Sequence, residues 1–401
     1  MLRILQISNK APFPPNDGSS IAVYNMAKGF IENGAELHLI AINTSKHFKP
    51  DKDVPADFKR DSHYLTVPQN TNTSLHGAFL NLFSGQSYFV SRFCFRAMEK
   101  ALEEKLTQHK FDIIQLDGLF VAGYIDLIRK YSTAKIVLRA HNVESILWNR
   151  HLLNEKSAIK RTYLKIQVKK LKRFEESVIK KVDAIVSITD VDKKTFQELA
   201  PGKPVTTCIT GVNVDYYKKP GDRHLKQKTI FYFASMDWMP NQEAADWFLS
   251  NCWKKVFHAV HDCKLVIAGK NMPQRFLKLN QPNVLVIGNI NNSKDFYNQH
   301  DIMLVPLLTG SGLRIKIIEG MSYGKAIVST TVGAEGIPVT HGKNILIADN
   351  PDDFSAAVIE LLNNDEKRHS LESEAQKLAE KEFDNKKVVA NLLSFYESLH
   401  V

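Results

Sequence analysis

Short, uninterrupted apolar runs alternate with helix-length amphipathic segments along the whole chain. In the first half the runs are RILQIS (3–8), ELHLIAI (36–42), DIIQLD (112–117), KIVLRAH (135–141) and AIVSIT (184–189). After residue 220 they are TIFYFAS, KLVIAGK, NVLVIG, IMLVPLL, AIVST and NILIA. Strands apolar on both faces and separated by helices belong to parallel sheets covered on two sides. Two such series predict an α/β chain of two doubly wound domains. Between them, PGKPVTTCITGVNVDYYKKPGDRHLKQKT is rich in Gly, Pro and Lys and lacks a period. This places a linker over 211–227, with domains over 1–210 and 228–383. The final segment, 384–401, has apolar residues at helical spacing and predicts a helix able to cap either domain.

Bulk properties narrow the function classes. A chain of 401 residues, 44% hydrophobic and 24% charged, has the makeup of a soluble two-domain protein. A formal charge of +10 and a pI near 9.2 point to an anionic partner without choosing one. No recognised nucleic-acid module accompanies the charge, which disfavours nucleic acid. The four cysteines (Cys94, Cys208, Cys252, Cys263) have no C-x-x-C spacing, which fits a reducing cytoplasm and argues against a metal knuckle. No apolar run approaches the roughly 18 residues that span a bilayer. The opening MLRILQISNKAPFPP is interrupted by Arg3 and Gln6 and reads as a buried strand rather than a signal peptide. A cytoplasmic location is expected, with contact at the inner membrane face open to it.

Ligands of parallel sheets bind beyond the carboxyl ends of strands, so the strand-end loops were compared. In SNKAPFPPNDGSS the prolines prohibit helix until Asp17-Gly18-Ser19-Ser20 opens one. Gly18 would let an anion approach backbone amides, whereas Ser19 or Ser20 as an ordinary helix cap is the alternative. In LRAHNVES, His141 ends a strand and is followed by Asn142. A histidine there can bond a sugar hydroxyl or move a proton; a satisfied structural histidine is the alternative. In TGSGLRIKIIEG, the turn Gly310-Ser311-Gly312 precedes a helix expected from Leu313, with Gly324 at its C-cap. Arg314 and Lys316 in its first turn would hold a diphosphate, and Glu319, about 10 Å further on, could accept from ribose hydroxyls. The alternative is a surface Lys316–Glu319 pair.

Two other features invite functional readings. Asp190-Val191-Asp192 matches a metal-binding D-x-D pattern, but Thr189 or Asp190 reads better as a helix cap, and no metal is expected. Residues 156–181 form a basic amphipathic segment that could lie on anionic lipid or form a solvated helix with its stripe in the core.

Together these loops resemble the retaining nucleotide-sugar glycosyltransferases of family four, over nearly the whole chain. The resemblance runs through APFPPNDGSSIAVYNMAKGF, RAHNVES, SMDWMPNQEAADWF, VIGNINN and GSGLRIKIIEGMSYGKAIVSTTVGAEGI. It implies the GT-B fold: two Rossmann-like domains facing a central cleft, an N-terminal acceptor domain, a C-terminal donor domain, and a last helix, 384–401, returning to the first. By position, Glu319 matches the glutamate that contacts the donor ribose, and His141 the histidine that approaches the transferred sugar. Gly18 matches the glycine loop near the phosphates, and Gly288 lies in the loop that contacts the base. Gly310, Ser311, Gly312 and Leu313 complete the implied donor loop. Two departures stand out. Ser311 occupies the position of the family's first glutamate, eight residues before Glu319. The loop SMDWMPNQ lacks the Arg and Lys that usually reach the diphosphate, and Arg314 and Lys316 could supply that charge from the other side. The implied function is transfer of a sugar from a UDP- or GDP-linked donor to a glycan or lipid-linked hydroxyl acceptor, with retention and without a cofactor. The alternative is a non-catalytic protein of the same fold that binds nucleotide sugars.

Overall fold

The computed structural model describes residues 1–15, 18–45, 48–214, 228–290, 292–310 and 313–400. They form two compact units: Met1–Gly211 with Asn385–Val401, and Val212–Asp384. Most of the expected linker, residues 215–227, lies outside the described residues.

The first unit contains a parallel sheet of β1 (Arg3–Ser8), β2 (Glu36–Thr44), β3 (Leu65–Gln69), β4 (Ile113–Asp117), β5 (Lys135–Ala140), β6 (Ala184–Ser187) and β7 (Val205–Thr207). Its order is β3-β2-β1-β4-β5-β6-β7. The second contains β8 (Thr229–Phe233), β9 (Lys264–Ala268), β10 (Val284–Ile287), β11 (Ile302–Val305), β12 (Ala326–Ser329) and β13 (Leu346–Ile347), ordered β10-β9-β8-β11-β12-β13. Both are doubly wound Rossmann-like sheets. The apolar pattern does not reveal β3 or β7. Both are short edge strands, and β3 contains Pro68, which an edge tolerates because no outer neighbour needs its missing N–H.

Each face of the first sheet is covered. Leu5, Ile114 and Ile136 pack under Met98, Leu102, Ile128 and Leu171, while Ile4, Ile113 and Val137 pack under Phe30, Val389 and Tyr396. The terminal helix Asn385–Ser398 therefore belongs to this unit's core, and Tyr396 donates from its hydroxyl to Gln115 Oε1 at 2.5 Å. The basic helix Ala158–Lys181 places its apolar stripe in the core along its second half. Val168, Leu171, Val178 and Ile179 are buried, whereas Ile159 near its start is fully outward.

A histidine cluster sits at the amino end of β2. His38 is buried, stacks on His63 at 4.2 Å and packs against His109 at 4.5 Å and the edge of Phe111. Lys105 Nζ lies 3.4 Å from its Nδ1 and Glu36 Oε1 3.3 Å from its Nε2. Burial and then the charge of His63 lower the His38 pKa to about 4, against the hydrogen bond to Glu36. The unfolded chain therefore takes up this proton first as pH falls below about 6.5. Stability is expected to drop by about 1–3 kcal/mol between pH 7 and pH 4 from this group alone. Urea midpoints measured at both pH values should show that His38→Gln flattens the loss; an unchanged slope would remove the assignment.

Candidate functional site

Each sheet reverses its strand order once, between β1 and β4 and between β8 and β11, and ligands of such sheets bind past the strands' carboxyl ends at that point. Both places gather polar side chains.

In the first unit the centre is Asp117, the last residue of β4 and fully buried. Its Oδ1 accepts from Arg139 Nη1 at 2.9 Å and pairs with His141 Nε2 at 2.8 Å. Its Oδ2 accepts from Gln6 Nε2 at 2.5 Å and Gln115 Nε2 at 3.4 Å. Burial pushes the carboxyl's pKa up, but Arg139 and then His141 outweigh it and hold it below the usual carboxylate range. An ionised carboxylate only accepts, so the shared hydrogen lies on His141 Nε2. In the neutral ring Nδ1 is then the acceptor, the atom that can take a hydroxyl proton. His141 follows β5 directly and is 21% exposed, so the ring is reachable while its partner is not.

Asn142 donates from Nδ2 to Glu144 Oε1 at 3.4 Å. Glu144 opens the helix Glu144–Asn154, and Glu175 accepts from the backbone N–H of Glu144 and Ser145 at 2.8 and 3.1 Å. Burial lifts the Glu144 pKa to about 7, with Asn142 opposing and the Glu175 charge assisting. Gly18 begins the helix Gly18–Glu32, so Ser19 and Ser20 lie in its first turn, and the alternative of a serine cap does not hold. Ser20 is buried and Ser19 faces a pocket within the first unit.

In the second unit the helix begins at Ile315, two residues later than its sequence suggests, and spans Ile315–Ser322. Arg314 is therefore its N-cap residue, not part of its first turn, and Leu313 lies outside it. Gly310 has φ +128°, and any side-chain carbon there would meet Arg314 Nη2 at 2.5 Å and the Trp238 ring at 2.8 Å. The Arg314 guanidinium lies over Trp238, 5.4 Å from the ring centre. Glu319 consequently stands about one helical turn from the helix start, near 6 Å at 1.5 Å per residue, rather than about 10 Å. Ser311 and Gly312 lie outside the described residues. The helix ends in a Schellman turn, Gly324 N–H donating to Met321 O and Lys325 N–H to Gly320 O.

Lys316 turns inward. Its Nζ lies 3.3 Å from Asn241 Oδ1 and 4.9 Å from the Tyr232 ring centre. Burial and then the Arg314 charge lower its pKa to about 7. Both cations thus address the segment after β8 that lacks cations of its own. Gly288 follows β10, accepts from Gly269 N–H at 3.3 Å, and has open space beside it.

Sequence reasoning missed Asp117, Gln6 and Arg139. A signal existed: an arginine and a terminal aspartate interrupt strands that are otherwise apolar on both faces. Thr189 caps the helix Asp190–Leu199 by accepting from Asp192 N–H, and Asp190 accepts from Thr207 Oγ1 at 2.6 Å. Those carboxylates serve the turn. Among the described residues no group of three or more His, Cys, Asp or Glu is arranged to hold a metal.

Residues 227–364, within the second unit's span apart from its edges, match the family model described as "Glycosyl transferases group 1". A protein of Methanocaldococcus jannaschii described as an uncharacterized glycosyltransferase is 29% identical over 82% of this chain and 86% of its own. Sucrose-phosphate synthase from Thermosynechococcus elongatus is similar in structure, with a TM-score of 0.73 at 12% identity over 100% of this chain and 99% of that one. The Anabaena protein HepE, solved with UDP and glucose, is similar with a TM-score of 0.65 at 12% identity over 99% and 100% of the two chains. The fold is GT-B: two Rossmann-like α/β units, each with the same strand order about its reversal.

Proposed function

We propose that the protein is a glycosyltransferase that moves a sugar from a nucleoside-diphosphate sugar to a hydroxyl acceptor. The observation that carries this reading is the placement of Lys316 and Arg314 at the strand-order reversal of the unit matching group 1 glycosyl transferases. The donor is assigned to this unit. Its diphosphate meets the two cations, its ribose meets Glu319, and its base, of UDP or GDP, lies near Gly288. The acceptor is assigned to the first unit, with His141 beside the transferred sugar.

In the reaction the bond from the anomeric carbon to the diphosphate breaks and a bond from the acceptor oxygen forms. Negative charge gathers on the leaving diphosphate, where preorganised cations lower the barrier without a metal. The acceptor proton passes to a departing phosphate oxygen, on the same face as the bond broken, so anomeric configuration is retained. His141 positions the sugar hydroxyls through Nδ1. Peripheral contact with the inner membrane face, through the outward side of Ala158–Lys181, completes the reading.

The test is transfer of label from UDP- and GDP-sugars, with the product anomer assigned by NMR. Glu319→Ala is expected to weaken binding of ribonucleotides about tenfold or more and of 2′-deoxy analogues less, because the ribose loses two charge-assisted hydrogen bonds and the 2′-deoxyribose one. An equal loss for both sugars would remove the ribose role. Nucleotide binding without hydrolysis or transfer would mark a non-catalytic binder.

A further inference from the structure

The carboxyl ends of β1, β2 and β3 enclose a pocket of about 320 Å³. Its walls come from Asn9 and Lys10 after β1, Thr44 at the end of β2, Thr71 and Thr73 after β3, and Arg92. Two cations, three threonines and an asparagine make a wall suited to a phosphate, since they supply charge and hydroxyl donors together. Arg92 is held in place. Its Nη1 donates to Thr71 O at 2.9 Å, its Nε donates to Tyr88 O at 3.2 Å, and its guanidinium lies over the Tyr88 and Phe93 rings. The pocket also neighbours the Asp117–His141 centre, because Asn9 and His141 flank Gly118, each about 4 Å from where a side-chain carbon on it would stand.

The chain leaves this pocket from Thr73 straight into an apolar outer surface. The helix Leu75–Asn81 and the turn after it expose Leu75 at 91%, Phe79 at 59% and Phe83 at 80%, with the two phenylalanine rings 5.6 Å apart. Lys170 fixes this turn to the basic helix by donating to Asn81 O at 2.7 Å and Ser84 O at 2.6 Å. Ile159, 86% exposed, stands on that same helix. Between residues 156 and 174 the chain carries eight Lys or Arg and no Asp or Glu. Exposed aromatics beside a cationic segment without acidic residues, 156–174, complement an anionic lipid surface.

We propose that the acceptor is a lipid that carries both a phosphate and the reacting hydroxyl: its phosphate enters the pocket at Arg92 and Lys10, and its tail stays in a membrane gripped by Phe79, Phe83 and the basic helix. This rests on the transferase reading and names its acceptor class. The pocket selects the phosphate, and the apolar rim with the basic helix selects the bilayer.

Co-sedimentation of the full chain, without donor, tests this. Three kinds of phosphatidylcholine vesicle are compared, carrying farnesyl phosphate, farnesol, or phosphatidylglycerol at matched charge. Farnesyl phosphate is expected to bind about tenfold tighter than phosphatidylglycerol and tighter still than farnesol, since the pocket adds charge-assisted hydrogen bonds. Arg92→Gln should erase the preference for farnesyl phosphate without altering phosphatidylglycerol binding. Because Arg92 also orders its loop, Thr73→Val serves as the milder variant and should reduce the same preference. Phe79→Ser with Phe83→Ser should weaken binding to every vesicle. Equal binding to farnesyl phosphate and phosphatidylglycerol in the native chain would overturn the proposal as a general charge effect. Displacement by millimolar-range inorganic phosphate as effective as by farnesyl phosphate would overturn the lipid assignment in favour of a soluble phosphate. Failure of nucleotide sugars to bind would sink the transferase reading and leave these vesicle results standing.

Discussion

Lys316→Met is expected to lower affinity for UDP or GDP by about one to two orders of magnitude and to remove the fall in affinity above pH 7, because a half-buried charge-assisted contact is lost. The unliganded amine has a pKa of about 7 because it is buried and faces Arg314. A diphosphate placed beside it favours the charged form and raises that value. Below pH 7 the amine is already protonated and affinity changes little. Above pH 7 binding must take up a proton, so affinity falls by up to about tenfold per pH unit until the liganded pKa is reached. Calorimetry at pH 8 in two buffers of different ionisation enthalpy should therefore report proton uptake approaching about one per site. The methionine variant should report none. Arg314→Ala is expected to weaken binding while leaving proton uptake in place, since an arginine stays charged throughout. Equal uptake by the native chain and Lys316→Met would end the assignment.

The frame of both units is legible in the sequence because strands covered on two faces are written as continuous apolar runs. It fails where that pressure is absent. Edge strand β3 carries Pro68 and polar Thr66, and β7 has only three residues. The segment after β11 was legible as a loop leading into a helix, but not in its geometry. Nothing local in the sequence tells the helix to wait until Ile315, and the contact of Arg314 with Trp238, more than seventy residues earlier, cannot be read along the chain. The same distance hides the partner of Lys316. A pair three residues apart offers the nearest carboxylate, but the folded chain brings Asn241 and Tyr232 to the amine instead. His141 announces itself at a strand end, whereas Asp117, though a polar break in its run, gains its partners Arg139 and His141 only when β4 and β5 are set side by side. Patterns along the chain locate the ends of strands. Partners across the sheet need the fold.

Asp117 joins stability and chemistry, and two substitutions should separate them. Asp117→Ala leaves Arg139 as a buried cation without its carboxylate, a change that costs about 3–5 kcal/mol in proteins generally. The first unit should lose that much in urea unfolding, while nucleotide affinity, assigned to the other unit, stays unchanged in whatever fraction remains folded. Asp117→Asn keeps the volume, but Arg139 and His141 share Oδ1, so a carboxamide turned to donate to His141 costs Arg139 that acceptor and stability also falls. It also changes the imidazole, because the carboxamide can donate to His141 Nε2 and favour the hydrogen on Nδ1. The atom assigned to accept from the sugar hydroxyl would then donate. Transfer is expected to fall by about 10–100-fold in this variant, because the hydrogen bond that positions the sugar hydroxyl is reversed and left unmade. His141→Ala should lower transfer similarly with little effect on stability, since the ring is partly exposed and Asp117 keeps Arg139 and Gln6. Full transfer by Asp117→Asn would show that His141 Nδ1 has no part in the reaction, and the pair would then stand only as a buried brace for β4 and β5.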